Sequence, residues 1–172
     1  MIKEKRVSES RTVMTEMIMP NDTNPLGNLM GGNLMRWMDI AGGVCAAKHA
    51  EAHVVTASVD HVSFDLPIKL GNVITITAQL TRAFNSSMEV YVEVLVAEIT
   101  GANQRKSNHA YFSFVALDAN SLKPIQVHKI SPEDELEKDR YNAATRRREL
   151  RLVLSGRMKP EDAKEIKEIF TS

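Results

Sequence analysis

The chain has 172 residues, 43% of them hydrophobic, enough for one domain of ordinary size with its own core and too few for two such domains side by side. Lys and Arg total 22 and Asp and Glu total 22, so the net charge is zero and no global field favours nucleic acid or an anionic membrane. A single cysteine, Cys45, excludes an internal disulfide, no apolar run reaches the ~18 residues of a membrane span, and "MIKEKRVSESRTV" lacks an apolar signal core. The expected setting is the cytoplasm, with no nucleic acid and no membrane among the partners.

Taken in order, "RTVMTEMIM" at residues 11–19 mixes β-branched and Met residues and stops at Pro20, which predicts a first strand. Residues 20–28 collect Asn21, Asp22, Asn24, Pro25 and Gly27, turn formers that no helix or ladder would choose together. Residues 29–52 then carry Met30, Leu34, Met38, Ala41 and Cys45 at spacings of three or four, an apolar stripe of helical period. This is the only long helix expected in the first 130 residues.

After it the period becomes two. "VITITAQLT" alternates Ile74, Ile76, Ala78 and Leu80 against Thr75, Thr77, Gln79 and Thr81, and "SMEVYVEV" alternates Met88, Val90, Val92 and Val94 against Glu89, Tyr91 and Glu93. Both read as strands with one buried face, and "HVVTASVDHV" before them and "HAYFSFVAL" after them are β-rich in the same way. Strand, long helix and four strands are therefore expected, the later strands as an antiparallel meander with the helix covering one face. The class is α+β.

Residues 131–170 hold ten basic and ten acidic side chains and form a separate element, which divides the chain into domain 1–130 and a charged helical extension 131–172. Ser131-Pro132 followed by acids predicts one helix start, and Lys159-Pro160 predicts a second helix beyond it.

One residue in the long helix stands out. Asp39 is a carboxylate among Met, Leu, Ile, Ala and Gly, and at 100° per residue it shares a side with Gly42 and Gly43, a surface almost bare of side chains. That surface has room for a ligand or another backbone. The plain alternative is that Arg36, three residues earlier, pairs with Asp39 on a solvated edge. At the start of the helix, Gly31 and Gly32 present amides that lack intrahelical partners, backed by the helix dipole, a setting suited to an oxyanion. Two adjacent glycines used only for packing are the plain reading there.

Together "NDTNPLGNLMGGNLMRWMDIAGGVCA", "VVTASVDHVSFDLPIKLGN" and "SMEVYVEV" resemble the acyl-CoA thioesterases of the hotdog fold, in the broad-range acyl-CoA hydrolase branch, over roughly residues 12–130. The resemblance implies a curved antiparallel sheet wrapped around the long helix, and homodimers that join their sheets edge to edge, further assembled as a hexamer of three dimers. It implies hydrolysis of acyl-CoA to a free carboxylic acid and coenzyme A, with no metal and no cofactor. Asp39 corresponds to the family's acid, acting on water as a base or attacking the carbonyl itself, and Asn24 corresponds to the family's loop Asn, contributed by the partner subunit. The amide of Gly31 or Gly32 would hold the thioester oxygen.

For the coenzyme A half the resemblance points to "FNSSMEV", making Ser86 and Ser87 candidates beside a plain hairpin turn as the alternative. Arg82, Lys106 and the run Arg146 to Arg148 are cations that fit phosphates. His49, His53, His61, His109 and His128 show no ligand spacing with Cys45 or with the acids, so no zinc site is expected. A hotdog module that only binds acyl-CoA or a regulatory partner is the alternative function, and retention of both Asn24 and Asp39 argues against it. A dehydratase on the same fold is disfavoured because it would want a His in the helix region, and His49 lies far past Gly31.

Overall fold

In the computed structural model, which describes residues 2–171 apart from the side chains of residues 168–171, the chain forms two compact units, one up to Ser131 and one from Pro132 onward. The terminal residues of the two expected domains, Met1 and Ser172, lie outside the described residues.

The first unit contains strand β1 (Glu4–Arg6), the short helix α1 (Val7–Ser10), β2 (Thr12–Met17), the long helix α2 (Gly31–Ala50), β3 (His53–Phe64), β4 (Val73–Ala83), β5 (Ser87–Ala97), β6 (Arg105–Leu117) and β7 (Lys129–Ser131). β2 to β6 make one antiparallel five-stranded sheet in the order β2-β4-β5-β6-β3, and α2 packs across all five strands. This is the hotdog arrangement. The apolar alternation that marked β4 and β5 is the helix-facing set: Ile74, Ile76, Ala78, Val90, Val92 and Val94 are fully buried against α2.

Two expectations are corrected. Only β4, β5 and β6 run as a meander, whereas β3 pairs with β6 and occupies a sheet edge. The β3–β4 connection runs through Pro67, Gly71 and Asn72 and is too long to force the two strands together as a tight hairpin would. Second, β5 is buried on both faces, with Glu89 and Tyr91 inaccessible on the side away from α2. Glu89 meets the cost of that burial in part through Thr81, whose Oγ1 donates to its carboxylate at 2.6 Å.

The end of α2 is tied down by the N-terminal segment. β1 pairs in parallel with β7, and Lys5 Nζ donates to the Lys48 and His49 carbonyls at 3.1 and 3.0 Å, partners that a helix C-terminus otherwise leaves to water. Glu51 follows in a left-handed conformation, φ 53°, and pairs with Lys5 at 2.8 Å. Lys5 and then Lys3 hold the Glu51 carboxyl down at about 2.

In the second unit, α3 (Glu135–Leu154) begins three residues later than expected, because Ser131 belongs to β7 and Asp134 is the N-cap, its Oδ1 accepting from the Glu137 amide at 2.8 Å. A 3₁₀ turn at Pro160–Asp162 leads into α4 (Lys164–Thr171), whose Ile166 amide donates to Glu149 at 3.1 Å. No helix among the described residues is long and apolar enough to cross a membrane.

Gly42 and Gly43, adjacent within α2, have different surroundings. A Cβ on Gly42 would sit 3.1 Å from Phe114 Cε2 and Cζ and 3.5 Å from Val92 Cγ2, whereas one on Gly43 would sit 3.7 Å from Phe114 Cε1. Helix propensity favours Ala by about 1 kcal/mol at either position, but overpacking a buried ring costs typically about 1–3 kcal/mol. Gly42→Ala is therefore expected to lower the thermal midpoint by a few degrees, and Gly43→Ala to leave it level or raise it. Thermal unfolding of the two variants side by side reads the difference.

Candidate active site

Asp39 is half-buried on α2 and accepts a hydrogen bond on Oδ1 from Thr56 Oγ1 of β3 at 2.6 Å, short enough to fix the carboxylate's rotamer. The Arg36 alternative does not hold, since the Arg36 guanidinium lies over the Trp37 ring, 5.7 Å from its centroid, and among the described residues Asp39 has no ion pair. Around Asp39 a groove of about 390 Å³ is walled by Gly43, Val44, Val54, Thr56 and Phe114. Gly42 is not part of its surface, because it faces the core beneath Phe114. The bare surface expected beside Asp39 is thus the work of Gly43 alone.

The loop before α2 builds a second cluster. Asn24 Oδ1 accepts from the Leu26 amide at 3.0 Å and the Asn28 amide at 3.2 Å, a side-chain turn that shapes the loop. Asn24 Nδ2 has no acceptor among the described residues. The loop is pinned to the β3–β4 connection by the Leu29 amide, which donates to the Ile68 carbonyl at 2.7 Å, and by a bridge between Asn28 and Lys69. At the helix start the first amides turned inward are those of Asn33 and Leu34, both bonded to the Met30 carbonyl at 3.1 Å. The amides of Gly31 and Gly32 are exposed and without intramolecular acceptors among the described residues.

One protomer carries Asn24 on the loop that leads into Gly31 and Gly32 at the helix start but holds Asp39 apart, because the eight residues from Gly31 to Asp39 amount to roughly 12 Å of helix. Asp39 looks toward Thr56 and the groove, away from the helix start.

The remaining candidates lie elsewhere. Ser86 and Ser87 shape the β4–β5 hairpin: the Ser87 carbonyl accepts from Phe84 at 2.8 Å and the Ser86 carbonyl from Ala116 at 2.9 Å. They sit at the Asp39 end of the sheet, since Met88 aligns with Phe114 and Phe114 with Thr56. The Arg82 guanidinium covers the Phe84 ring at 5.7 Å. Lys106 is engaged by Glu93 at 2.9 Å and Tyr91 Oη at 2.8 Å, and Arg147 donates to the Arg140 carbonyl within α3. Burial pushes the Cys45 thiol up to about 11, which leaves it protonated and non-nucleophilic at neutral pH. No cluster of three or more His, Cys, Asp and Glu side chains suited to a metal ion occurs among the described residues.

Thr56 is the functional candidate that sequence reasoning missed. Its only signal is position: it lies on the strand that returns antiparallel along α2 directly after the helix, where a residue opposite Asp39 must exist.

The thioesterase superfamily model matches residues 26–102. An uncharacterized acyl-CoA thioester hydrolase of Bacillus subtilis (strain 168) is 36% identical over 139 residues, 81% of this chain and 80% of that one. The acyl-CoA hydrolase of Staphylococcus aureus, solved with butyryl coenzyme A, coenzyme A and coenzyme A disulfide, is 35% identical, with a TM-score of 0.83 over 98% of this chain and 99% of that one. The chain belongs to the thioesterase superfamily. An apo hexameric acyl-CoA thioesterase of known structure is 34% identical, TM-score 0.86, over 90% of this chain and 98% of that one. The chain spans about a quarter of the length of two mouse relatives in the superfamily, acyl-coenzyme A thioesterase 11 and acetyl-coenzyme A thioesterase.

Proposed function

We propose that this member of the thioesterase superfamily hydrolyses acyl-CoA to a carboxylic acid and coenzyme A at a site shared by two protomers. The observation that carries the reading is the separation just described: Asp39 with Thr56 is one half-site, Asn24 with the Gly31 and Gly32 amides is the other, and one copy cannot join them. β3 is an edge strand with Val55, Val62 and Phe64 exposed, an edge suited to pairing with a second copy. Two β3 edges paired antiparallel about a twofold axis set the Phe64 end of one protomer against the Thr56 end of the other. That pairing puts Gly31, Gly32 and Asn24 beside the partner's Asp39. A hexamer of three such dimers is the assembly we propose, in keeping with the hexameric relative, and a cytoplasmic setting in keeping with a cytosolic acyl coenzyme A thioester hydrolase of rat.

Variants of the Staphylococcus aureus hydrolase have been solved with Ala in place of an Asp, a Thr and an Asn, at the sequence intervals that separate Asn24, Asp39 and Thr56 here. In the proposed reaction the thioester carbonyl oxygen lies against the Gly31 and Gly32 amides, which stabilise the oxyanion as it forms. Asp39 takes a proton from water as hydroxide adds to the carbonyl; the tetrahedral intermediate expels the coenzyme A thiolate, and Asp39 returns the proton to it. In the covalent variant Asp39 adds to the carbonyl, expels the thiolate and leaves an anhydride that water opens. Either route uses only the chain's own groups and water, with no metal or cofactor. Asn24 Nδ2 donates to the water or to the developing charge, and Arg82, Ser86 and Ser87 border the coenzyme A half.

The test is thiol release from acyl-CoAs of several chain lengths. Release of stoichiometric thiol is expected. An absence of release at every length, together with a melting temperature raised by acyl-CoA, decides instead for a binding module.

A further inference from the structure

Beside the helix start lies an apolar cleft of about 320 Å³ that the chemistry above does not use. Gly31, Leu29 and Phe64 form its mouth, and Leu34 and Ile68, 3% and 4% exposed, close its inner end. We infer that this cleft takes the acyl chain of the substrate, that Phe64 is the wall that selects for it, and that medium-length fatty acyl thioesters are preferred over acetyl thioesters; this rests on the hydrolase reading.

Continuity with the oxyanion site argues for an acyl chain. Gly31 contributes both the amide and the rim, so a carbonyl held there has its first methylenes at the mouth. Gly31 and the Phe64 ring lie side by side at this rim: a Cβ on Gly31 would stand 3.4 Å from Phe64 Cε1, in ordinary contact. The one polar side chain of the lining, Asn108, is 1% exposed and internally satisfied: its Nδ2 donates to the Ser63 carbonyl at 2.7 Å and its Oδ1 accepts from Ser107 Oγ at 2.6 Å. The cleft therefore offers an occupant no unmet polar group, which suits a hydrocarbon and not a pantetheine amide.

Phe64 is placed there by the backbone. β3 pairs with β6 up to Thr56 opposite Phe114, then slips one residue before Ser58 and again between Asp60 and Ser63. The first bulge reverses which face each residue takes, and the second, where His61 has φ 52°, restores it. Without the second bulge, Phe64 would lie on the face away from α2. Instead it aligns with Asn108 on the helix side, and the turn that follows is held by the Asp65 amide, which donates to the Ser107 carbonyl at 3.3 Å.

The experiment measures kcat/KM for acetyl-CoA and octanoyl-CoA in the wild type, Phe64→Ala and Phe64→Leu. The wild type is expected to favour octanoyl-CoA; in Phe64→Ala the octanoyl-to-acetyl ratio falls at least about tenfold, mainly through KM, and Phe64→Leu falls between. A ratio is insensitive to the fraction of folded enzyme, so loss of stability cannot mimic this. A ratio unchanged in Phe64→Ala, or a wild type that favours acetyl-CoA, overturns the acyl cleft while leaving the hydrolase reading intact. No thiol release by the wild type from any acyl-CoA overturns both.

Discussion

Asp39→Asn is expected to lower acyl-CoA hydrolysis by ~10²–10⁴-fold, the usual contribution of a positioned base. The substitution is nearly isosteric, and an Asn Oδ1 still accepts the 2.6 Å hydrogen bond from Thr56, so the fold and the groove survive while the group that receives a proton or attacks a carbonyl is gone. Loss without unfolding is the signature, checked by thiol release beside a thermal melt. Full activity in Asp39→Asn would leave the carboxylate an idle charge and the mechanism without its base. Thr56→Val probes the layer behind: it keeps shape but removes the donor that fixes the carboxylate, and a smaller loss follows because a mobile Asp39 still reaches the productive rotamer part of the time.

Asn24 requires two substitutions, because its side chain has two roles. Oδ1 folds the loop by accepting from Leu26 and Asn28, and Nδ2 is left for the substrate. Asn24→Ala removes both, whereas Asn24→Asp keeps an acceptor for the two loop amides and removes the donor. Losing one donor from an oxyanion site typically costs ~10²–10³-fold, and both variants are expected to lose at least that much. Activity retained in Asn24→Asp but lost in Asn24→Ala would make the residue a loop builder only.

Much of this was written in local sequence. The apolar stripe from Leu34 to Cys45 and the alternations of β4 and β5 each report one element's buried face, and each element formed there, while Met30, read as the stripe's first member, is the exposed N-cap. Asp39 was legible for the same reason, as a charge that breaks the pattern of its own helix. Strand neighbours were not legible: nothing in "HVVTASVDHV" says that β3 pairs with β6, because pairing is decided by which strands the helix leaves room for. Glu89 read as solvent-facing because alternation says nothing of a second buried face, and the Thr81 that satisfies it is eight residues away. Phe64 depends on the register of β3, which two bulges change after Thr56, and no period of two survives a bulge. β1 and β7 are three residues each, too short for any pattern.

The division of the site between copies is tested most directly by mixing two inactive variants, Asp39→Asn and Asn24→Asp, under conditions where protomers exchange. Each mixed dimer carries one site with both defects and one with neither, so random exchange is expected to restore about a quarter of wild-type turnover from parents that have almost none. A mixture that stays at the level of its parents after exchange has been verified would contradict the shared site and place Asn24 and Asp39 in the same protomer's chemistry or in none.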